Sequence, residues 1–456
     1  MADLASLSRA QLIELITTQH RQISELLAKI EQLQREGKRQ ASPFSKGNRV
    51  INPKRPGRKP GQGPFLYRTA PIEPATETIL AAAPESCPHC GGDLEQTKEE
   101  LATTTDLPIQ PRPVVTAYRV AVCRCQKCGK TVRGSAPGLA PDQNGATAHR
   151  VGACVMAAAH MLHYAIGVPV RRVPAVLREL TGVSLTQGAI TQDALRRAAG
   201  PVGAAYQELR EQVRQAPAVH TDDTGWRVNG KPAQLMGFDT DDVTVYQIRD
   251  RHRNEEVREL IPSDYKGVMI TDRGKSYEAE ELSGVAQQKC LAHLLRNVSK
   301  VIEQKSGPAM RFGLRLKVLL REGLTLWHAR GTLDGTEFER RHQQLEGDMT
   351  DHLRDRILKD DDNQTLLNGF GSQHDRGNLL RFLTTEGVEP TNNRAERILR
   401  PAVIARKVSH CSKNPRGAEA FAAFLSVVQT ARKQAQQTVS QVLLNLFTRP
   451  SSAPAR

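Results

Sequence analysis

Three carboxylates set far apart in the chain are the residues best suited to chemistry. Asp222 ends the run Ala218-Val219-His220-Thr221-Asp222, Asp272 ends Gly267-Val268-Met269-Ile270-Thr271-Asp272, and Glu396 lies in Thr391-Asn392-Asn393-Arg394-Ala395-Glu396. Carboxylate oxygens suit hard Mg²⁺ (or Mn²⁺), and two such ions roughly 3.5 to 4 Å apart stabilise the attacking and leaving oxygens of a phosphodiester displacement. Two strand-end Asp residues can share one metal site, and a third carboxylate is needed for the second ion. Turn formation and helix capping are the ordinary structural uses of the same residue type.

Cysteine is the second chemical resource. The eight cysteines fall at 87, 90, 123, 125, 128, 154, 290 and 411, and four of them form Cys87-Pro88-His89-Cys90-Gly91-Gly92 and Cys125-Gln126-Lys127-Cys128-Gly129. Glycine lets the thiolates converge at each turn, and four thiolates satisfy a tetrahedral, structural Zn²⁺. The 34 residues between the pairs exceed the usual ribbon spacing, so free reduced cysteines in a small β segment stay an alternative. Cys123 would share a strand face with Cys125 and is a substitute ligand.

The 456 residues carry 64 Lys and Arg against 49 Asp and Glu, a net charge of +15, so a polyanion is the expected partner and nucleic acid the commonest one. A disulfide-stapled miniprotein is excluded by length, and aromatics at 4% argue against long stacking platforms for single strands. No run approaches eighteen apolar residues and the N-terminus lacks a secretory pattern, which predicts a cytoplasmic protein without a membrane partner.

Several elements must position these residues. Over 1–40, Leu12, Ile16, Ile23, Leu26, Ile30 and Leu33 step by three and four apart from Gln19, as in a short coiled coil or an amphipathic helix packed on its own protein. Residues 41–68 form a basic Pro/Gly-rich linker. Within it Lys54, Arg55, Arg58 and Lys59 resemble a minor-groove hook, or else a solvated charged linker with non-specific phosphate affinity. The zinc-binding β segment occupies 69–135. A helical region follows over 136–216, where a Gly182-Val183-Ser184 turn between helices matches a helix-turn-helix, a pattern shared by plain packing units.

From 217 to 284 come short β-like runs, with an Asn229-Gly230 hairpin turn, a helix-like stretch over 255–261 and the strand that ends in Asp272. Strand, hairpin, strand, helix, strand is the ribonuclease H-like order, which predicts Asp222 at the end of the first strand beside Asp272 at the end of the fourth. The 123 residues between Asp272 and Glu396 are helical in pattern, including Phe312 to Leu320 and Glu337 to Leu358, so an α-helical insertion is expected over 285–388. Its Trp327 either stacks on an unpaired base or fills a core. In the core segment 389–430, Pro390 and Thr391 should start a helix with Glu396 in its second turn, and 431–456 reads as a tail. Arg394, Arg397, Arg400, Arg406 and Lys407 then line a DNA-facing helix, or a merely solvated one.

The string Thr391-Asn392-Asn393-Arg394-Ala395-Glu396-Arg397-Ile398-Leu399-Arg400-Pro401 resembles the signature around the catalytic Glu of the insertion sequence 66 family of bacterial transposases. His220-Thr221-Asp222-Asp223-Thr224-Gly225-Trp226 resembles that family's first-Asp motif, and Ile270-Thr271-Asp272-Arg273 its second. The resemblance extends over nearly the whole chain. It implies a multidomain α/β protein: a ribonuclease H-like mixed sheet core with an α-helical insertion, preceded by a coiled-coil helix, basic linker, small zinc segment and helical DNA-binding region. It further implies that Asp222, Asp272 and Glu396 bind two Mg²⁺ ions to cleave and join double-stranded DNA, transposon ends and target alike. A homo-oligomer on DNA, association with the bacterial nucleoid and companion proteins of the same element are implied with it. Asp223 stands where the family usually has Glu, and the Cys290-x-x-His293 pair resembles a motif that follows the second Asp in related superfamilies. A catalytically silent DNA-binding regulator and a nuclease that never joins strands are the alternatives.

Overall fold

The structure, a computed structural model, describes residues 113–448 except 141, 146, 147 and 355, together with 19, 86 and 88–93. The expected coiled coil, the Lys54 to Lys59 motif and Cys87 lie outside the described residues. The chain divides into units Met1–Leu107 and Pro108–Arg456, and the elements below belong to the second. No helix among the described residues is long and apolar enough to cross a membrane.

A small antiparallel hairpin, β1 (Val122–Arg124) and β2 (Thr131–Arg133), comes first. Helices α1 (Ala153–His160), α2 (Val173–Thr181), α3 (Gln187–Ala198) and α4 (Pro201–Gln215) lead into β3 (Ala218–Val228), β4 (Lys231–Asp239) and β5 (Thr244–Arg249). After α5 (Asn254–Arg258) come β6 (Val268–Thr271) and β7 (Gln287–Lys289). The helices α6 (Leu291–Ile302), α7 (Pro308–Ala329), α8 (Gly335–Leu353) and α9 (Asp361–Asp375) follow, and α10 (Asn393–Ser409), α11 (Pro415–Gln434) and α12 (Val439–Thr448) close the fold.

The strands form one mixed sheet in the order β5-β4-β3-β6-β7. β3, β4 and β5 run antiparallel, while β6 and β7 run parallel to β3. Asn229 at φ 52° and Gly230 at φ 74° make the left-handed two-residue turn that joins β3 to β4 without splaying them. Alternation along the strands sends Val219, Met236, Phe238, Val245 and Met269 to one face, packed with Val213, Val257 and Tyr277. The other face carries Trp226, Leu235, Tyr246 and Ile248 beneath Leu399, Ala402, Ala418 and Leu425 of α10 and α11.

Several sequence expectations change. Asp222 lies in the middle of β3, because the hairpin with β4 continues to Val228 after the pairing with β6 has ended at His220. Residues 287–289, expected in the insertion, pair with β6 as the fifth strand of the sheet. α8 stops at Leu353 rather than running to 358. Residues 439–448, expected within a tail, instead form α12, which buries Leu443 and Leu446 against α1 and α11 in an apolar cluster with Tyr164 and Phe424. α10 starts at Asn393, after Pro390 and Thr391, so Glu396 belongs to its first turn.

α10 is seated on the sheet at one glycine. Gly237 pairs with Asp222 across the hairpin, and a Cβ there would stand 2.7 Å from Ile398 Cδ1 and 3.2 Å from Leu399 Cδ2. Gly237→Val should therefore lift α10 and lower unfolding stability by about 1–3 kcal/mol in denaturant titration, the usual range for overpacking. An unchanged midpoint would show that the helix does not rest on this strand.

Candidate active site

The sheet brings the two aspartates together on two neighbouring inner strands. Asp222 sits just past the last β3–β6 pair, His220 with Ile270, and Asp272 is the first residue after β6. Asp272 Oδ1 accepts the Gly274 N–H at 2.8 Å in a tight turn, and Asp222 Oδ1 accepts the Asp223 N–H at 2.9 Å. Strand alternation separates the neighbouring acids. Asp222 shares the face covered by α10, whereas Asp223 pairs with Met236 on the opposite face, where it meets His252 Nδ1 at 2.9 Å. His252 Nε2 lies 3.2 Å from Ser276 Oγ, and its ring stands edge-on to Tyr277.

Burial pushes the Asp222 carboxyl up to about 6. The Asp223 N–H opposes the shift, and the charges of Asp272, Asp223 and Glu396 add to it. The charges of the other two acids expected from the sequence thus reach Asp222 through space. Among the described residues, no three His, Cys, Asp or Glu side chains close into a metal-holding group. As a donor set the acids are all oxygen, which is the chemistry a hard divalent cation takes.

Glu396 is exposed, and α6 supplies its neighbours: His293 Nε2 at 3.8 Å and Arg296 at 3.5 Å. The Cys290-x-x-His293 pair is divided between two environments. Cys290 is buried at the head of α6, where its Sγ accepts the Asn392 N–H at 3.1 Å, while His293, one turn on, faces Glu396. Behind Asp272 lies Lys289, fully buried, its Nζ 2.7 Å from Glu278 and donating to Gln287 Oε1 and Thr271 Oγ1. Burial lowers the Lys289 pKa against the pull of Glu278 and Asp272. His252, Arg296, Lys289 and Asn392 were not singled out by sequence reasoning, since a lone polar residue carries no periodic signal.

The basic residues of α10 fall into two groups. Arg394, expected at DNA, is instead turned inward onto Asp239 (3.0 Å), Asp241 (2.6 Å) and Glu389 (3.6 Å), because the end of β4 presents acids beside the start of the helix. Arg406 is likewise engaged, with Thr224 Oγ1 and the Gly225 carbonyl. Arg397, Arg400 and Lys407 are exposed on one stripe. Trp327 packs, half-buried, against the apolar core of the α6–α9 helices. Gly182, left-handed at φ 71°, ends α2, and Thr186 caps α3, but Val173, Leu177 and Ile190 bury against Ala159 as an ordinary packing unit would.

Cys125 and Cys128 sit in the turn between β1 and β2, with Gly129 at φ 70°. Hydrogen bonding from the Cys128 backbone, the Cys128 thiol and the Lys127 backbone draws the Cys125 thiol below its ordinary pKa, a setting that favours thiolate. Cys123 is exposed on β1, and Cys90 is exposed in its own turn before Gly91 at φ 75°.

No curated protein matches the chain. Residues 149–420, well over half of the sequence and inclusive of Asp222, Asp272 and Glu396, match the profile described as Transposase IS66 family. The chain belongs to that transposase family.

Proposed function

We propose that the protein is a DDE transposase with a ribonuclease H-like core, which binds transposon terminal repeats, hydrolyses their 3′ ends and joins the freed 3′-OH to target DNA. The observation that carries this reading is geometric: Asp222 lies just past the β3–β6 pairing that Asp272 follows, on the strand face covered by α10 with Glu396 in its first turn, and the charges of Asp272 and Glu396 help to raise the Asp222 carboxyl. These three residues would hold Mg²⁺ or Mn²⁺, which when bound supplies charge neutralisation at the phosphodiester and a more acidic water. The chain's own part is to hold the acids in place. Asp222 and Asp272 are pinned by backbone N–H groups, Glu396 is bordered by Arg296 and His293, and Asp223 is kept on the opposite face by His252. The partners in this reading are double-stranded DNA, further copies of the chain on that DNA and companion proteins of the element.

Cleavage and strand transfer on labelled DNA bearing the element's ends test the reading. Asp222→Asn, Asp272→Asn and Glu396→Gln should each lower metal-dependent cleavage by at least about 10²- to 10³-fold and leave end binding nearly intact. Cleavage without joined product would make the protein a nuclease, and tight end binding with no cleavage would make it a silent regulator. The exposed stripe of α10 gives a second prediction. Replacing Arg397, Arg400 and Lys407 together by Ala should weaken binding evenly across sequences and reduce the slope of log affinity against log salt by about three. An unchanged slope would place the phosphates elsewhere.

A third prediction concerns pH. The Asp222 carboxyl rises from 3.8 to about 6 in the fold, so its ionised form destabilises the metal-free protein. Well below pH 3.8 the group is neutral in both folded and unfolded chains, and Asn in its place gains nothing. As pH climbs to about 6 the cost of charging Asp222 grows, then stays constant. Asp222→Asn should therefore raise metal-free stability by about 1–3 kcal/mol at pH 7–8 and by almost none at about pH 3. A gain independent of pH in thermal unfolding would contradict this origin.

A further inference from the structure

We propose that Asn392 is a positioning residue that sets the three carboxylate-bearing elements in register, an inference that rests on the active-site reading above. Asn392 is 1% exposed and stands at the head of α10, where an Asn ordinarily turns its side-chain oxygen onto the helix's own first N–H groups. Here it makes no such bond. The side chain faces β3 instead: Nδ2 donates to the Thr221 carbonyl at 2.7 Å, and Oδ1 accepts from His220 Nδ1 at 3.2 Å. Only one orientation of the amide serves both partners, since the reverse sets two oxygens against each other.

The backbone of the same residue reaches the other two elements. Its N–H donates to Cys290 Sγ at 3.1 Å, and the Cys290 N–H donates to the Thr271 carbonyl at 2.8 Å, one residue before Asp272. Its carbonyl accepts the Glu396 N–H at 3.3 Å. From this one buried residue, a hydrogen bond leads to the residue before Asp222, another to Glu396 itself, and two in series to the residue before Asp272. Mutually repelling carboxylates need such a brace, because offsets near 1 Å are enough to spoil a metal site or a reacting geometry.

The test uses the full-length protein and Mn²⁺ alone, titrated calorimetrically without DNA, beside single-turnover cleavage and the affinity for end DNA. Asn392→Ala should weaken Mn²⁺ binding about 10- to 100-fold, the usual range for an outer partner of a metal ligand, and slow cleavage while end-DNA affinity stays within about twofold. Leu443→Ala in α12, buried far from these bonds, is the comparison for lost stability alone. A folded Asn392→Ala that binds Mn²⁺ and cleaves as Leu443→Ala does overturns the proposal. If Asn392→Ala does not fold, Cys290→Ser and Cys290→Ala decide. Serine keeps an acceptor for the Asn392 N–H and should retain Mn²⁺ affinity that alanine loses, and equal affinities overturn the proposal. Asp222→Asn in the same titration separates the two readings. If it binds Mn²⁺ like the wild type, the active-site assignment falls and this inference with it; if it alone loses Mn²⁺, only the role of Asn392 falls.

Discussion

Like charges held near one another repel, and the surroundings of the three carboxylates are arranged to bear that repulsion. Asp222 is raised to about 6 first by burial and then by its acidic neighbours, so the fold carries a cost at neutral pH that packing elsewhere must offset. The offset is visible on every side. Backbone N–H groups pin Asp222 and Asp272, α10 lies close on Gly237, and Lys289 places a buried cation behind Asp272. The far end of α10 is also fastened. His410 and Cys411 adopt left-handed backbone, and Ser412 exchanges hydrogen bonds with the tip of the β3–β4 hairpin while its hydroxyl accepts the Trp226 indole N–H. A helix fixed at both ends keeps its first-turn acid in place.

Much of the sheet was legible because its signals are local. Alternating apolar residues and the Asn229-Gly230 pair are enough to place β3, β4 and β5, and counting from that turn pairs Val228 with Lys231 and hence Asp222 with Gly237. The same count tells Asp222 from Asp223, which composition around the motif does not. β7 was hidden because Gln287-Gln288-Lys289 has no apolar residue at all. All three are buried, and long-range partners satisfy them, as when Gln288 Nε2 donates to the Leu379 carbonyl. The inward turn of Arg394 was hidden for a related reason: its partners Asp239 and Asp241 lie more than 150 residues away in sequence. Asn392 could be read as part of a motif, yet its bonds to β3 and α6 exist only once three distant elements have met.

The geometry of α10 has one further consequence. Its acid lies in the first turn and its free cations follow at 397, 400 and 407, so a phosphate backbone lying along the stripe starts at the carboxylates and runs toward the C-terminus. At about 1.5 Å per residue, the stripe from Arg397 to Lys407 measures roughly 15 Å, under half a turn of duplex. Under the proposed function, the length of this stripe would set how far from the carboxylates the backbone is gripped.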